Sequence, residues 1–180
     1  MNPPPRGEAR GDAKLAERVA LAIRRDIVLD GWPVGRVVGA EPELVDRYGV
    51  SRAVLREAVR IVEYLGVGRM RQGPGGGLVI TAPNPTAVTQ AAIVYLSYAQ
   101  VSLGEVIGAR SMVEQLAVGL ATERAAAAEV EALRERMAAH VEGPAHEYAP
   151  WRLHDEIAAL TANPGIELFV KILGRITGRY

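Results

Sequence analysis

The stretch Glu41–Ile80 reads EPELVDRYGVSRAVLREAVRIVEYLGVGRMRQGPGGGLVI, and its reading decides the fold. Pro42 falls in the first turn of a helical pattern over Glu41–Tyr48, where a missing N–H costs little. Leu44, Val45 and Tyr48 supply the apolar side. Gly49 predicts the stop, because glycine accepts the left-handed backbone needed there. Ser51 predicts a cap for the next helix, its hydroxyl accepting from an N–H of the first turn. Leu55, Ala58, Val59, Val62 and Leu65 recur at helical spacing and are expected to face a core. Arg52, Arg56, Arg60 and Glu63 form one stripe on the opposite face. Gly66 closes the helix, Val67–Gln72 alternates as a strand, Gly73–Gly77 makes a tip, and Leu78–Thr81 returns. Two short helices, a tight turn and a hairpin in that order describe a helix–turn–helix with a two-stranded wing.

Upstream, residues 1–12 are rich in Pro, Gly and charge and are expected to form a disordered tail. From Ala13 the pattern turns helical, with Leu15, Val19, Ala22, Ile23 and Ile27 at spacings of three and four. Asp30-Gly31 stops it, Trp32-Pro33-Val34-Gly35 turns, and Val37-Val38 reads as an extended connector. Downstream, Pro83-Asn84-Pro85 is a composition break taken as the domain boundary. The winged helix–turn–helix domain is therefore placed at 13–82. The rest, 83–180, is helical throughout, and the fold class is mainly α. Its segments are Thr86–Tyr98, one opened by a capping box at Ser102–Glu105 and running to Glu123, Ala125–His140, Pro150–Thr161 and Ile166–Ile176. Val130, Leu133 and Met137 are expected to point inward.

At 180 residues with 49% apolar side chains, the chain can bury a real core as one domain or two small ones. It holds no run of 18 apolar residues, so no membrane partner is expected, and its start lacks the apolar centre of a secretory signal. The lack of cysteine excludes a disulfide framework and a thiolate metal site, making the cytoplasm the default location. Net charge is zero but uneven. Residues 1–82 carry 13 basic against 10 acidic side chains, and 83–180 carry 8 against 11. Within 47–71 six Arg face two Glu, which points to an anion-binding N-terminal half. The excess of Arg over Lys, 19 to 2, fits a coding bias equally well and carries no weight.

The chemistry of that half follows. A B-DNA major groove admits an α-helix, and Arg pairs with the O6 and N7 acceptors of guanine. A helix entering N-terminus first also brings free N–H groups toward phosphate. Ser51 at the cap, with Arg52, Arg56 and Arg60 along one face, meets both demands, and Glu57 beside Arg56 is expected to orient it. Arg69, Arg71 and Gln72 lead into a tip that begins at Gly73 and is bare enough for close backbone approach. The plainer alternatives are a solvated helix face and a flexible loop. The glycine run is not a nucleotide-binding loop, because the Gly-x-x-x-x-Gly-Lys pattern is missing.

Glu41-Pro42-Glu43-Leu44, Gly49-Val50-Ser51-Arg52, Leu55-Arg56-Glu57-Ala58 and Gly73–Val79 together resemble the winged-helix domain of GntR-type bacterial transcription regulators. The resemblance implies operator binding as a dimer, with Ser51, Arg52, Ala53, Val54 and Arg56 presented to the groove and Gln72 and Gly73 at the wing tip. Two positions depart from the pattern. Ala40 replaces the usual capping Ser, and Pro42 stands where some members use a DNA-contacting Arg, so the second helix should contribute less. Beyond the boundary, Glu105, Arg110 and Glu114, then Leu153-His154 and Asn163-Pro164, resemble the effector domain of the FadR-like branch. The likeness is to the N-terminal module of tandem-module actinobacterial members, which makes the second domain look truncated. Many such regulators bind a divalent metal through an Asp four residues before this His. Here that position is Pro150, so neither metal nor other cofactor is expected. Arg110 and His154 remain candidate effector-binding residues, Arg110 toward a carboxylate. A salt bridge from Arg110 to Glu114 is the alternative.

These readings combine into a sequence-specific transcriptional regulator, a repressor that binds a short palindromic double-stranded DNA operator as a dimer. A small carboxylate-like effector would modulate it. The alternative is a winged-helix interaction module that pairs with a paralogue without useful DNA binding. An enzyme is not expected, since no nucleophile–base constellation occurs and Asp155-Glu156 beside His154 is an isolated cluster.

Overall fold

The computed structural model describes the backbone of residues 6–141 and 151–178. The chain divides into two compact units, Met1–Ala87 and Val88–Tyr180. The division falls a few residues beyond the Pro83–Pro85 break, in the first turn of a helix.

The first unit contains α1 (Arg6–Leu29), α2 (Glu41–Tyr48), α3 (Arg52–Tyr64), β1 (Gly68–Arg71) and β2 (Gly77–Ile80). Helix α1 begins at Arg6, so the expectation of a disordered segment fails for 6–12, while 1–5 lie outside the described residues. The physical reason is cooperativity. Once Ala16–Ile27 are held against a neighbour, adding helical residues such as Glu8, Ala9 and Arg10 costs little.

Ala16, Val19, Ala20, Ile23 and Ile27 of α1 share a buried cluster with Val54, Leu55, Ala58, Val59 and Val62 of α3. Leu44 from α2 and Leu78 and Ile80 from β2 complete it. Ile23, Leu44, Leu55, Val62 and Leu78 are fully buried, and truncating one of the large ones to Ala costs about 2–5 kcal/mol. Leu65, expected inside, is instead 40% exposed, because it is the C-cap and the helical face has already ended at Val62.

Strands β1 and β2 pair antiparallel with Gly68 opposite Ile80 and Arg71 opposite Gly77. The connector contributes more than expected. Val37 bridges to Val79, and Val38 N–H donates to the Leu78 carbonyl at 2.7 Å, so β2 is flanked on both sides and all four of its residues are buried. Two glycines of the tip region are required by this packing. A Cβ on Gly77 would overlap the Gly39 carbonyl, and one on Gly76 would overlap the Arg71 carbonyl.

Polar ties fix the unit's corners. Trp32 Nε1 donates to the Thr81 carbonyl at 2.9 Å, and Thr81 Oγ1 donates to the Gly66 carbonyl at 2.7 Å. Tyr48 Oη donates to Asp26 Oδ2 at 3.1 Å, joining α2 to α1. Burial, reinforced by the Asp26 carboxylate, pushes the Tyr48 phenol up to about 12.

The second unit holds α4 (Thr86–Tyr98), α5 (Leu103–Arg124), α6 (Ala127–Val141), α7 (Trp151–Leu160) and α8 (Pro164–Thr177). The expected capping box closes the start of α5. Ser102 Oγ accepts from Glu105 N–H at 3.3 Å, and Glu105 Oε2 accepts from Ser102 N–H at 2.8 Å. Asn163 caps α8 by accepting from Gly165 and Ile166 N–H, with Pro164 in the first turn. The core here is two small clusters, Val106 with Ile172 and Ile176, and Ala117 with Ala158 and Val170. Leu133 is buried as expected, but Val130 is 38% exposed and does not point inward. Pro150, with 142–150, lies outside the described residues.

Candidate nucleic-acid interface

Ser51 sits in extended backbone before α3, and its Oγ accepts from Val54 N–H at 3.3 Å, the expected cap. The turn before it is closed by Gly49 at φ 62°, a left-handed conformation. Helix α2 begins without a side-chain cap at Ala40. Glu43 Oε2 compensates by accepting from Ala40 N–H at 2.9 Å.

The sequence-predicted contacts then separate into three groups. Arg52 and Ala53 are exposed at the first turn of α3, and Arg52 has no ion-pair partner among the described residues. Arg56 and Arg60 are exposed and tethered. Arg56 Nε lies 3.0 Å from Glu41 Oε1 on α2, and Arg60 Nη1 lies 2.7 Å from Glu57 Oε1. Glu57 was expected to orient Arg56. It pairs with Arg60, which stands three residues on along the same helix, while Glu41 takes the other role. Val54 is a correction. At 3% exposure its side chain belongs to the core, in line with Ala58 and Val62, and cannot meet a groove.

The wing stands against α3 through Glu63, whose Oε1 accepts from Met70 N–H at 2.8 Å, so Glu63 is a structural tie. Arg71 Nη2 donates to the Gly75 carbonyl at 2.8 Å and so braces the tip. Gln72 and Gly73 are exposed at that tip, and Arg69 is exposed on β1. Among the described residues the face therefore offers a capped helix N-terminus, Arg52 and Arg69 without ion-pair partners, Arg56 and Arg60 tethered, and a braced loop. An open trough of about 740 Å³ runs between α1 and α3 beside it, lined by both Glu17 and Glu57 and by Arg56 and Arg60.

Glu41 was missed at the sequence level because its role depends on how α2 crosses α3, which helical periodicity does not encode. The signal present was an acidic residue at the first position of a helix, ordinarily read as a dipole effect.

In the second unit, Arg110 and His154 come together. Glu114 Oε1 lies 2.6 Å from Arg110 Nε and 3.2 Å from His154 Nδ1, and Arg110 Nη1 donates to Thr177 Oγ1 at 2.7 Å. The Arg110–Glu114 pair weighed as the alternative is thus present, and it is the element that gathers both candidates. Next to them Asp155 is held above its ordinary range by burial, with Lys171 and Arg175 opposing that shift. A cavity of about 360 Å³ in this unit is lined instead by Ile93, Leu96, Val106 and Ile176 together with Ser97 and Gln100. Among the described residues no three His, Asp or Glu side chains converge to hold a metal ion, and His154 Nδ1 is engaged with Glu114. No described helix is long and apolar enough to cross a membrane.

The family model for bacterial regulatory proteins of the gntR family matches residues 15–76, and the FCD domain model matches 105–180. A solved structure of a Streptococcus agalactiae GntR protein is similar in fold, with a TM-score of 0.66 at 20% identity, over 89% of this chain and 80% of that one. A GntR-family transcriptional regulator from Pseudomonas syringae pv. tomato aligns over 96% of this chain and 76% of its own, at 19% identity and a TM-score of 0.36. No curated protein matches the chain.

Proposed function

The chain belongs to the GntR family of bacterial regulatory proteins, in the FadR-like arrangement of a winged helix–turn–helix followed by an FCD domain, and on that premise we propose that it is a repressor acting as a dimer on a short palindromic operator. The observation that carries the reading is at the start of α3. Ser51 caps the helix, Arg52 is exposed and untethered, and a braced wing follows directly. Phosphate contact supplies most of the affinity of such a face, and Arg52 with Arg56 supplies base readout. Ala53 keeps the approach clear, Gln72 and Gly73 meet the sugar–phosphate wall, and Arg60 contributes charge. The protein works by binding, without catalysis, in the cytoplasm.

Dimerisation accounts for the apolar side chains the second unit leaves in solvent. Val94, Tyr95 and Tyr98 on α4 are 70%, 69% and 86% exposed. A carboxylate effector would compete with Glu114 for Arg110, whose Nη1 also donates to Thr177 Oγ1.

Selection from random duplex DNA tests the proposal. Enrichment of a palindrome, with affinity falling steeply as salt rises, supports it. Absence of salt-dependent binding favours the interaction module that pairs with a paralogue. On the selected operator, an Arg110→Ala variant should bind DNA normally and lose its response to carboxylate effectors.

A further inference from the structure

Arg56 is tied to the neighbouring helix through one nitrogen of its guanidinium. Its Nε donates to Glu41 Oε1 at 3.0 Å across the α2–α3 corner, while its side chain stays 67% exposed. The contact uses Nε, and neither Nη group has a partner among the described residues. Arg reads guanine by two parallel N–H donations to O6 and N7. With Nε anchored, the pair left for that task is Nη1 with Nη2, and the anchor fixes the plane in which they lie. Ordering a long Arg side chain beforehand removes an entropic cost from binding.

Stability does not explain the pair, because exposed ion pairs add little to it. Simple attraction does not explain it either. A carboxylate on the DNA-facing side weakens contact with every phosphate backbone, whatever its sequence. A group that lowers general attraction while fixing one donor pair acts on discrimination. Pro42, the next residue of α2, carries no side-chain hydrogen-bonding group. Helix α2 then acts through Glu41.

We propose that Glu41 is a positioning residue that sets base specificity at the operator position read by Arg56, favouring guanine there. The inference rests on the DNA-reading function proposed above.

The test selects random duplexes with the full chain as wild type, Glu41→Gln, Glu41→Ala, Arg56→Ala and the Glu41→Ala, Arg56→Ala double variant. Thermal midpoints are measured alongside. Arg56→Ala should erase a guanine preference at one position in each half-site. Both Glu41 variants should weaken that same preference about fivefold or more, leaving other positions unchanged. In the Arg56→Ala background the Glu41 change should have no further effect on any preference, which a mere loss of helix stability would not reproduce. Intact guanine preference in both Glu41 variants overturns the inference, as does an effect that persists without Arg56. A wild type that enriches no sequence removes the DNA-reading function itself, and this inference with it.

Discussion

Arg110 on α5 and His154 on α7 approach the same oxygen, Glu114 Oε1, at 2.6 and 3.2 Å. One carboxylate therefore holds two helices together and occupies the guanidinium that an effector would need. Arg110 is only 19% exposed, so removing its partner strands a largely desolvated charge. Glu114→Ala is expected to destabilise the protein by about 1–3 kcal/mol in chemical denaturation. A change within error would mean that the cluster carries no structural weight.

The wing's glycines make a sharper prediction. A Cβ on Gly77 would overlap the Gly39 carbonyl, while one on Gly73, at φ +93°, would meet nothing within 4 Å. Gly77→Ala should cost about 2 kcal/mol or more, because backbone must move, and Gly73→Ala distinctly less. Thermal melts of the two variants decide this, and equal losses would contradict the packing described.

Most of this architecture was legible in the sequence, and the failures share a cause. Helix ends marked by Gly49, Ser51 and Ser102 are local chemistry, and each falls where the residue type predicts, whereas α8 begins at Pro164, two residues before the expected Ile166, because Asn163 caps it. Val54 was assigned to the groove by family likeness, although its i, i+4 line through Ala58 and Val62 places it in the core. The wing tip's glycines were read as clearance for DNA, whereas Gly76 and Gly77 answer to backbone crowding inside the wing. Glu41 with Arg56 and Glu114 with His154 each join different helices. A one-dimensional pattern reports which face a residue occupies but not which helix crosses it.

Tyr48 gives the protein an alkaline dependence. Its phenol titrates near 12 in the folded chain, above the ordinary 10.0, through burial and the Asp26 carboxylate. A raised pKa means the neutral form is favoured on folding. The stabilisation is complete below pH 10 and is lost as pH climbs toward 12. The advantage of wild type over Tyr48→Phe in urea midpoint should therefore hold steady to pH 10 and shrink beyond it. An advantage that is unchanged across that window would contradict the Tyr48–Asp26 contact.

The central claim is that α3 reads sequence through its first turn, and Arg52 tests it most directly, being exposed and untethered there. Equilibrium binding of wild type and Arg52→Ala is compared on the selected operator and on a scrambled duplex, at one fixed salt concentration. The account predicts that Arg52→Ala loses about 1–3 kcal/mol on the operator and much less on the scrambled duplex, so that discrimination falls roughly tenfold or more. Equal affinity of the two proteins for the operator would contradict it.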